Sequence, residues 1–383
     1  GGSRMKTIIA MDSFKGCLSS LDAGNTIKEA ILSRYPSDSV EVFPLADGGE
    51  GTVDVLTAGL GGDIVPVTVT GPLGQPVASR YGWLPKSHTA IIEMADASGL
   101  PLVPPAFRNP MNTTTYGLGE LISAALSRGC RHFIIGIGGS ATNDAGIGML
   151  TALGYHFYQE DGSRVKGYGR DLAKIVRIDD KEVSPLLREC RFDIACDVTN
   201  PLCGSEGCSH VFGPQKGATP EIATRMDADI ARFAALAERF TGKAAALIPG
   251  AGAAGGLGFA FHTFLNGSLT PGITLVLEAI HIADALPSAD LVITGEGRMD
   301  HQTAMGKAPV GVAQLAKRCA PSCRTIALCG CAAEEAASVN EHGIDAYFPI
   351  LHEAMDAEEA MRKDVTTANL RQTVTQVLRL IHD

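Results

Sequence analysis

The chain has 383 residues and a mass of 40.0 kDa, which exceeds one ordinary core and predicts two or three domains of roughly 150 residues each, with two as our working expectation. Hydrophobic residues at 45% and charged residues at 19% are typical of a globular α/β protein and exclude a disordered or fibrous one. The formal net charge of -10 excludes the basic surface that nucleic acid or an anionic membrane would require, so we expect small-molecule partners only, with no nucleic acid and no membrane.

Residues 1–4 are interpreted as an expression-tag remnant ahead of a natural start at Met5. We expect no signal peptide, and no apolar stretch reaches the roughly 18 to 20 residues that span a bilayer. The 10 cysteines include no C-x-x-C pair and no accompanying histidine set suited to zinc, so we interpret them as reduced thiols. We therefore expect a cytoplasmic protein, and the sequence does not indicate its oligomeric state.

The opening segment predicts a strand, a glycine loop and a helix. Residues 6–11 are apolar, the loop over 12–16 interrupts them, and a helical period follows over 21–31 behind the capping candidate Ser19. A second strand over 40–45 again ends in a loop of glycines and acids. This repetition is typical of a parallel sheet with crossover helices.

The strand, loop and helix pattern of the opening segment is lost near residue 71 and returns beyond residue 290. Near residue 71, glycines and prolines interrupt the chain and strands with alternating residues lie on either side. Beyond residue 290, a strand over 291–294 and a helix over 307–318 repeat the opening pattern. We therefore predict an α/β fold in which a parallel-sheet domain is interrupted by a second, inserted α/β domain. The predicted bounds are 5–70 and 286–383 for the first domain and 71–285 for the second. Such an insertion would place the loops of both domains around a cleft.

Two loops near the N-terminus combine glycine with charged residues at the ends of predicted strands. The first places Asp12, Ser13 and Lys15 before a helix N-terminus, where backbone N–H groups and the helix dipole favour phosphate or carboxylate. A solvated surface loop is the alternative. The second, over 47–52, sets Asp47 and another carboxylate among three glycines, which suits a nucleotide–metal or polyol site. A turn in front of a capped helix is the alternative there.

Two further glycine loops are similar to dinucleotide-binding fingerprints. The loop over 136–146 follows a predicted strand and contains G-x-G-x-x-A together with Asn143 and Asp144. The loop over 249–256 contains a complete G-x-G-x-x-G, a weak match in a chain with 44 glycines. Tight helix packing is the alternative for both loops, and the amides and the acid favour a functional interpretation more strongly for the first.

A fifth loop, over 294–300, ends the strand where the outer domain resumes. It contains Glu296, Arg298 and Asp300, which suit metal-bound phosphate or a substrate carboxylate. A surface salt-bridge cluster is the alternative.

Two segments in the middle of the chain add polar candidates. Asp197 ends an apolar strand and is followed by Thr199 and Asn200, so a carboxylate lies at a sheet edge beside polar neighbours. A turn closed by its own side chains is the alternative. Arg108 precedes a helix predicted over 114–128 and either binds an anion or belongs to a capping segment, and capping is the favoured interpretation.

Together these motifs make the sequence similar to the class I glycerate kinases of bacteria. The matching pieces follow in the expected order over essentially the whole chain: 12–16, 45–52, 108–119, 136–149, 197–204, 249–258 and 294–309. The resemblance implies a Rossmann-like domain with an inserted α/β domain, Mg-ATP as phosphoryl donor, D-glycerate as acceptor and 2-phosphoglycerate as product.

The residues themselves also favour phosphoryl transfer, which needs a phosphate cradle, a metal and positioning more than covalent chemistry. The sequence contains neither G-x-x-x-x-G-K-[ST] nor the H-R-D and D-F-G set, so it is neither a P-loop enzyme nor a protein kinase. A nicotinamide-dependent oxidoreductase is the main alternative, but it leaves the loop carboxylates unexplained. A non-catalytic two-lobed ligand sensor is the other.

The predicted site residues fall into four groups. The catalytic group is Asp197, which would orient or deprotonate the attacking hydroxyl, with Lys15 and Asp144. The predicted substrate-binding residues are Asp12, Ser13, Asp47, Arg108, Thr199, Asn200 and Arg298. The predicted nucleotide-binding residues are Gly138, Gly139, Ser140, Asn143, Gly252, Gly255 and Gly295. Glu296 and Asp300 are the predicted Mg²⁺ ligands, and Asp144 and Asp300 are rivals of Asp197 for the role of base.

Overall fold

The computed structural model describes residues 4–382, so all of the predicted tag remnant except Arg4 lies outside the described residues. The strands are β1 (Lys6–Met11), β2 (Ser39–Pro44), β3 (Asp63–Thr70), β4 (Pro76–Leu84), β5 (Thr89–Glu93), β6 (His132–Gly136), β7 (His156–Tyr158), β8 (Arg177–Asp179), β9 (Arg191–Ala195), β10 (Ser268–Thr270), β11 (Leu291–Met299), β12 (Arg324–Ala332) and β13 (Ala346–Pro349). The α-helices are α1 (Ser20–Arg34), α2 (Thr52–Gly59), α3 (Ala95–Ser98), α4 (Tyr116–Ser127), α5 (Ile147–Ala152), α6 (Cys208–Phe212), α7 (Pro220–Thr241), α8 (Ala253–Leu265), α9 (Gly272–Ala279), α10 (His301–Ala304), α11 (Ala308–Cys319), α12 (Ala357–Ala360) and α13 (Lys363–Ile381).

The chain divides into two compact units. The first comprises the residues up to Asp47, Ala58–Leu60 and the residues from Ile273 onward, and the second comprises Gly48–Thr57 and Gly61–Gly272. The middle of the chain therefore forms one α/β unit and its two ends form the other. The predicted fold class, a parallel-sheet domain interrupted by a second α/β domain, is confirmed.

The first unit contains a fully parallel sheet in the order β13-β12-β11-β1-β2. Successive residues of β12 pack into two different hydrophobic clusters. Ile326 and Leu328 belong to a cluster with residues of α1 and α13, whereas Ala327 and Cys329 belong to a cluster with residues of α11. Both faces of the sheet are thus covered, as parallel sheets require. Numbered within the sheet, the order is 2-1-3-4-5, that of a doubly wound fold, in which the strand order reverses between β1 and β11.

The second unit contains a mixed sheet in the order β10-β9-β6-β5-β4-β3. Strands β5, β6, β9 and β10 are parallel, whereas β3, β4 and β5 pair antiparallel. The central parallel strands are largely buried, and Phe133 of β6 stacks on Phe192 of β9 with ring centroids 4.9 Å apart. Because these strands are parallel, the loops after them meet at one edge of the sheet.

The unit boundaries differ from the predicted domain bounds by the segment Gly48–Thr57 and one strand at the first crossing and by about one helix at the second. Strand β3, which the sequence placed in the outer domain, pairs with β4 along its whole length from Asp63 to Thr70 and so belongs to the second sheet. The sequence placed the segment from Ile273 in the inserted domain. Ile273, however, packs against Gly311 of α11 so closely that a Cβ added to Gly311 would lie 2.6 Å from Ile273 Cγ1. Hydrogen-bond pairing and close packing, which composition does not reveal, set the boundaries.

Within residues 4–382, no helix is both long and apolar enough to cross a membrane.

Candidate active site

A cavity of about 630 Å³ lies in the first unit, where the strand order reverses between β1 and β11. Open doubly wound sheets bind their ligands at this position, outside the carboxyl ends of the strands. The cavity brings together the predicted residues of the first, second and fifth loops, namely Asp12, Ser13, Lys15, Asp47, Glu296, Arg298 and Asp300.

Four carboxylates line this cavity, those of Asp12, Asp47, Glu296 and Asp300. Burial, with a smaller contribution from the charges of Asp47 and Glu296, raises the pKa of Asp12 to about 7, against the opposing hydrogen bond that the Ser13 N–H donates to Asp12 Oδ1 at 2.8 Å. Burial also raises the pKa of Glu296, helped by Asp300 and Asp47. Burial and neighbouring acids thus destabilise the ionised forms of Asp12 and Glu296, and a bound cation would oppose both effects.

Thr303 connects the two predicted metal ligands. Its hydroxyl donates to Glu296 Oε1 at 2.6 Å and accepts from the Asp300 N–H at 3.1 Å. Asp300 Oδ1 in turn accepts from the N–H groups of Gln302 and Thr303 and caps α10. The cap fixes the loop that carries both acids.

Three cations line the same cavity. Lys15 and Arg298 were predicted, whereas Lys307, which precedes α11, was not assigned a role from the sequence. Its charge lowers the pKa of Glu296, in opposition to the effect of burial. The signal available for Lys307 was its place directly before a helix, since a cation ahead of a helix is also what drew attention to Lys15. Acids and cations in one cavity suit an anionic ligand that carries a metal ion.

The carboxylates fit Mg²⁺ only together with a phosphate ligand. Among the described residues, no group of three or more His, Cys, Asp and Glu side chains is arranged to hold a metal ion by itself. Mg²⁺ is usually bound through one or two carboxylates, with waters and substrate phosphates completing its six ligands. Glu296 and Asp300, joined through Thr303, could supply those one or two.

A second set of predicted residues lies in the second unit, at the carboxyl edge of its parallel strands. Glu93, Gly136 and Ala195 are register neighbours at the ends of β5, β6 and β9. Gly48 lies over this edge: its carbonyl is 2.5 Å from where a Cβ on Gly136 would be, so only glycine fits at residue 136. The edge therefore collects the loop that begins at Gly48 and the loops after β5, β6 and β9.

Asp197 lies exposed in the loop after β9. Its Oδ1 accepts a hydrogen bond of 3.1 Å from the Gly272 N–H, which fixes the carboxylate at the sheet edge. Thr199 is also exposed, and Asn200 donates from Nδ2 to the Glu206 carbonyl at 2.8 Å. Asp197 thus combines a fixed position with exposure, as a group that must reach a substrate requires.

Asp144, by contrast, is completely buried. Its carboxylate accepts from the N–H and hydroxyl of Thr115, both at 2.8 Å, and from the N–H groups of Gly146 and Gly148. Burial raises its pKa and these hydrogen bonds oppose the effect. With four donors already on it and no exposed surface, Asp144 has the geometry of a loop anchor, which argues against the catalytic role expected from the sequence.

The 249–256 loop packs against the loop after β6. Gly255 and Gly256 have left-handed φ angles of 66° and 95°, and the Gly255 carbonyl accepts from the Ala145 N–H at 2.8 Å. A Cβ on Gly255 would lie 2.6 Å from the Asn143 Cα, and a Cβ on Gly252 would lie 2.2 Å from the Pro201 carbonyl oxygen. This geometry favours tight packing, the alternative open from the sequence, over nucleotide contact for Gly252 and Gly255.

The other residues predicted to bind nucleotide include both exposed and buried ones. Gly138 and Gly139 are exposed, as a phosphate-binding backbone would be. Ser140 and Asn143 are buried, and Asn143 donates from Nδ2 to Ser209 Oγ at 2.8 Å. Gly295 is buried within β11, where its carbonyl accepts from the Asp12 N–H at 2.9 Å. Gly295 therefore holds the start of the first loop in place.

Arg108 is engaged with its own neighbourhood. Its Nε donates to the Val103 carbonyl at 3.1 Å and one terminal nitrogen donates to the Leu100 carbonyl at 3.4 Å. The helix that follows begins behind Thr115, which forms no side-chain capping bond of its own, and Asp144 accepts the Thr115 N–H instead. Arg108 stabilises the 100–108 turn, and neither of the roles expected from the sequence, anion binding or capping, is visible in its contacts.

Two buried ionisable residues in the second unit were not identified as candidates from the sequence. Glu93 at the end of β5 accepts from the N–H groups of Gly51 and Val53, and burial raises its pKa to about 7. Lys216 is 2% exposed and donates to the Thr142 carbonyl at 2.6 Å and to Ser140 Oγ at 3.3 Å. Glu93 ends a strand without a glycine beside it, and Lys216, in the turn between Gly213 and Gly217, does not follow a predicted strand, so neither was assigned a role.

Comparisons with known proteins agree on one family. A sequence model described as the glycerate kinase family matches residues 7–382. The chain is 46% identical over 377 residues to a glycerate kinase of Haemophilus influenzae, covering 98% of this chain and 99% of that protein. It is 41% identical over 358 residues to the glycerate 2-kinase of Escherichia coli, covering 94% and 93%. A crystal structure described as that of a candidate glycerate kinase 2 from Salmonella typhimurium LT2 has a TM-score of 0.90 and 44% identity, covering 99% and 98%.

Proposed function

Because the chain belongs to the glycerate kinase family, we propose that it transfers the γ-phosphoryl group of ATP to the hydroxyl on carbon 2 of D-glycerate and releases 2-phosphoglycerate. The observation that carries the proposal is the cavity between β1 and β11, in which four carboxylates and three cations stand together. Cations bind phosphate oxygens and carboxylates hold a metal, and phosphoryl transfer is catalysed mainly by such positioning and electrostatics.

Mg²⁺ bound with ATP would be held by Glu296 and Asp300, and it would neutralise charge that develops on the phosphate oxygens. Lys15, Arg298 and Lys307 would bind the oxygens that the metal leaves free. Ser13 offers a hydroxyl donor at the same wall. The pKa of Asp12, raised mainly by burial and further by the charges of Asp47 and Glu296, supports this assignment, because a bound cation would stabilise the ionised acids.

Asp197 is proposed as the base that takes the proton from the attacking hydroxyl, with Thr199 and Asn200 beside it as substrate-binding residues. Its exposure and its single fixed oxygen support this role, and the burial of Asp144 argues for Asp197 over that rival. Asp300 is the weaker rival, because Thr303 joins it to Glu296 in the pair proposed to hold Mg²⁺. Gly138 and Gly139 remain proposed phosphate contacts on account of their exposure.

A coupled assay for ADP formation tests the activity. With millimolar D-glycerate and Mg-ATP we expect ADP well above the rate without glycerate, and a rate at background would refute the kinase. Phosphorus NMR of the product tests the position of transfer: the 2-phosphate is expected, and the 3-phosphate alone would move the reaction to carbon 3.

Family membership leaves the two alternatives without support. The G-x-G-x-x-G pattern at 250–255, which favoured a nicotinamide cofactor, is buried against its own unit. A ligand sensor would require neither a carboxylate set suited to a metal nor an exposed acid such as Asp197. Formation of ADP in the presence of glycerate would exclude it.

A further inference from the structure

The cavity of the first unit has an apolar wall that phosphate, metal and glycerate leave unused. This wall comes from elements other than those that carry the acids, namely the chain after β13 and the start of α13. Its large side chains are Leu351, Met355 and Met361, and Phe14 and Ile350 lie buried beside them.

The apolar side chains of this wall are exposed, which indicates that a ligand covers them. Leu351 is 38% exposed and Met361 is 50% exposed, although both line a cavity. Scattered apolar residues on a surface need no explanation, but apolar residues gathered at a cavity that also holds cations are the usual lining of a cofactor or nucleotide site. Glycerate is small and polar and would not cover them, so the larger substrate is the better occupant.

The larger substrate matches this wall in both of its parts. A purine is a flat, largely apolar ring, so it can cover apolar side chains while the phosphates attached to it reach the cations of the same cavity. A purine therefore matches the exposed apolar side chains of the wall.

We propose that the purine base of the nucleotide lies against Leu351, Met355 and Met361. The proposal rests on the proposed function for the nucleotide, and it places the base in the first unit, in the same cavity as Lys15, Arg298 and Lys307, which are proposed to bind phosphate oxygens. A cavity of about 630 Å³ is in the range that holds ligands of this size.

Truncation of the wall tests the proposal by direct binding. Met361→Ala should weaken the binding of ADP, measured by calorimetry with Mg²⁺ present, by roughly three- to tenfold, since it removes apolar surface that the base would cover. Inorganic triphosphate, which has no base, should bind as to the unchanged protein. Leu380→Ala is the matched control, because Leu380 is 85% exposed on α13 and does not line the cavity. Equal weakening of both probes, or of neither, would overturn the proposal.

Alkylation of Cys17 gives a second readout on the unchanged protein. Cys17 lines the cavity, is half-buried and donates to Thr366 Oγ1 at 3.1 Å. ADP should slow its reaction with iodoacetamide, followed by mass spectrometry, whereas inorganic triphosphate should not. Cys190, half-buried in the second unit, is the control. Protection by both probes alike, or by neither, would contradict a base at this wall.

The two hypotheses fail in different ways. If the protein binds ADP through the wall but forms no ADP from ATP with glycerate, the proposed function is wrong and the base site stands. If it is an active kinase and both tests give the overturning result, the base site alone is wrong.

Discussion

At the scale of single residues, the sharpest question concerns Asp197, whose exposed carboxylate is fixed by the Gly272 N–H. Asp197→Asn keeps the shape and one acceptor oxygen but removes the base. We expect kcat to fall by roughly 10² or more, since general base catalysis contributes typically about 10²- to 10⁴-fold, while the far-ultraviolet circular dichroism spectrum and ADP binding stay unchanged. Asp63→Asn, a change at another exposed acid of the second unit, should keep full activity.

An Asp197→Asn protein that retains most of its kcat would show that another carboxylate is the base. Asp300→Asn would then be the variant to compare, and its dependence on Mg²⁺ concentration would separate a base from a metal ligand.

Substitution of Lys15 tests whether the cations that line the cavity bind phosphate. The side chain is exposed and lines the cavity beside Asp12. Lys15→Ala should lower kcat/KM for ATP by roughly ten- to a hundredfold, because a hydrogen bond to a charged group is worth about 1.5 to 3 kcal/mol. Lys86→Ala, at an exposed lysine outside the cavity, is the control. Unchanged kinetics in Lys15→Ala would mean that the lysine is merely solvated.

At the scale of elements, Glu93 links the end of β5 to the start of α2. Its two oxygens accept from the N–H groups of Gly51 and Val53 at 3.2 and 3.0 Å. In Glu93→Gln an amide NH₂ must face one of these donors, so we expect the free energy of unfolding, measured with urea, to fall by about 1 to 3 kcal/mol. Glu50→Gln, at an exposed acid of the neighbouring loop, should leave stability nearly unchanged, and an equal loss in both variants would contradict the specific role of Glu93.

The elements themselves were largely predictable. Apolar runs and capping residues predicted β1, α1 and β11, and Ser19 caps α1 by accepting from the Asp22 N–H, as its spacing indicated. The pairing of β3 with the second sheet was not predictable, because a strand with alternating residues pairs equally well with either neighbour until the partner is known.

Some residues of the candidate site were likewise predictable from the sequence and others were not. Loops of glycine and acid predicted the cavity residues of the first unit, because short-range patterns mark strand ends. The burial of Asp144, which argues against the catalytic role expected from the sequence, was not predictable because it depends on Thr115, 29 residues earlier. Lys216 was missed because its contact with Thr142 spans 74 residues and leaves no local trace.

At the scale of the whole molecule, the chain distributes its predicted residues over two units with different chemistry. The first unit carries the mixed acids and cations of the cavity, and the second carries an edge where glycine loops, Glu93 and Asp197 meet. Stability of the second unit depends on buried polar groups rather than on apolar packing alone. These groups link its folding to pH.

Lys216 provides the test of that link. Burial lowers its pKa from 10.5 to about 8, and the charges of Cys208 and Asp144 oppose the shift. Between these two values the unfolded chain binds more protons at this lysine than the folded protein does. The free energy of unfolding therefore gains a term that is absent well below about pH 8 and rises as the pH increases.

Replacement of Lys216 by methionine should remove this pH dependence while keeping the volume of the side chain. From about pH 7.5 to about pH 9, urea unfolding of the unchanged protein should gain about 1 kcal/mol relative to Lys216→Met, since each unit of pKa shift corresponds to about 1.36 kcal/mol. Cys208, whose pKa burial raises to about 11, acts in the opposite direction only above about pH 9. Lys86→Met, at an exposed lysine, should keep the dependence of the unchanged protein. Parallel pH profiles for Lys216→Met and the unchanged protein would show that Lys216 does not titrate in this range.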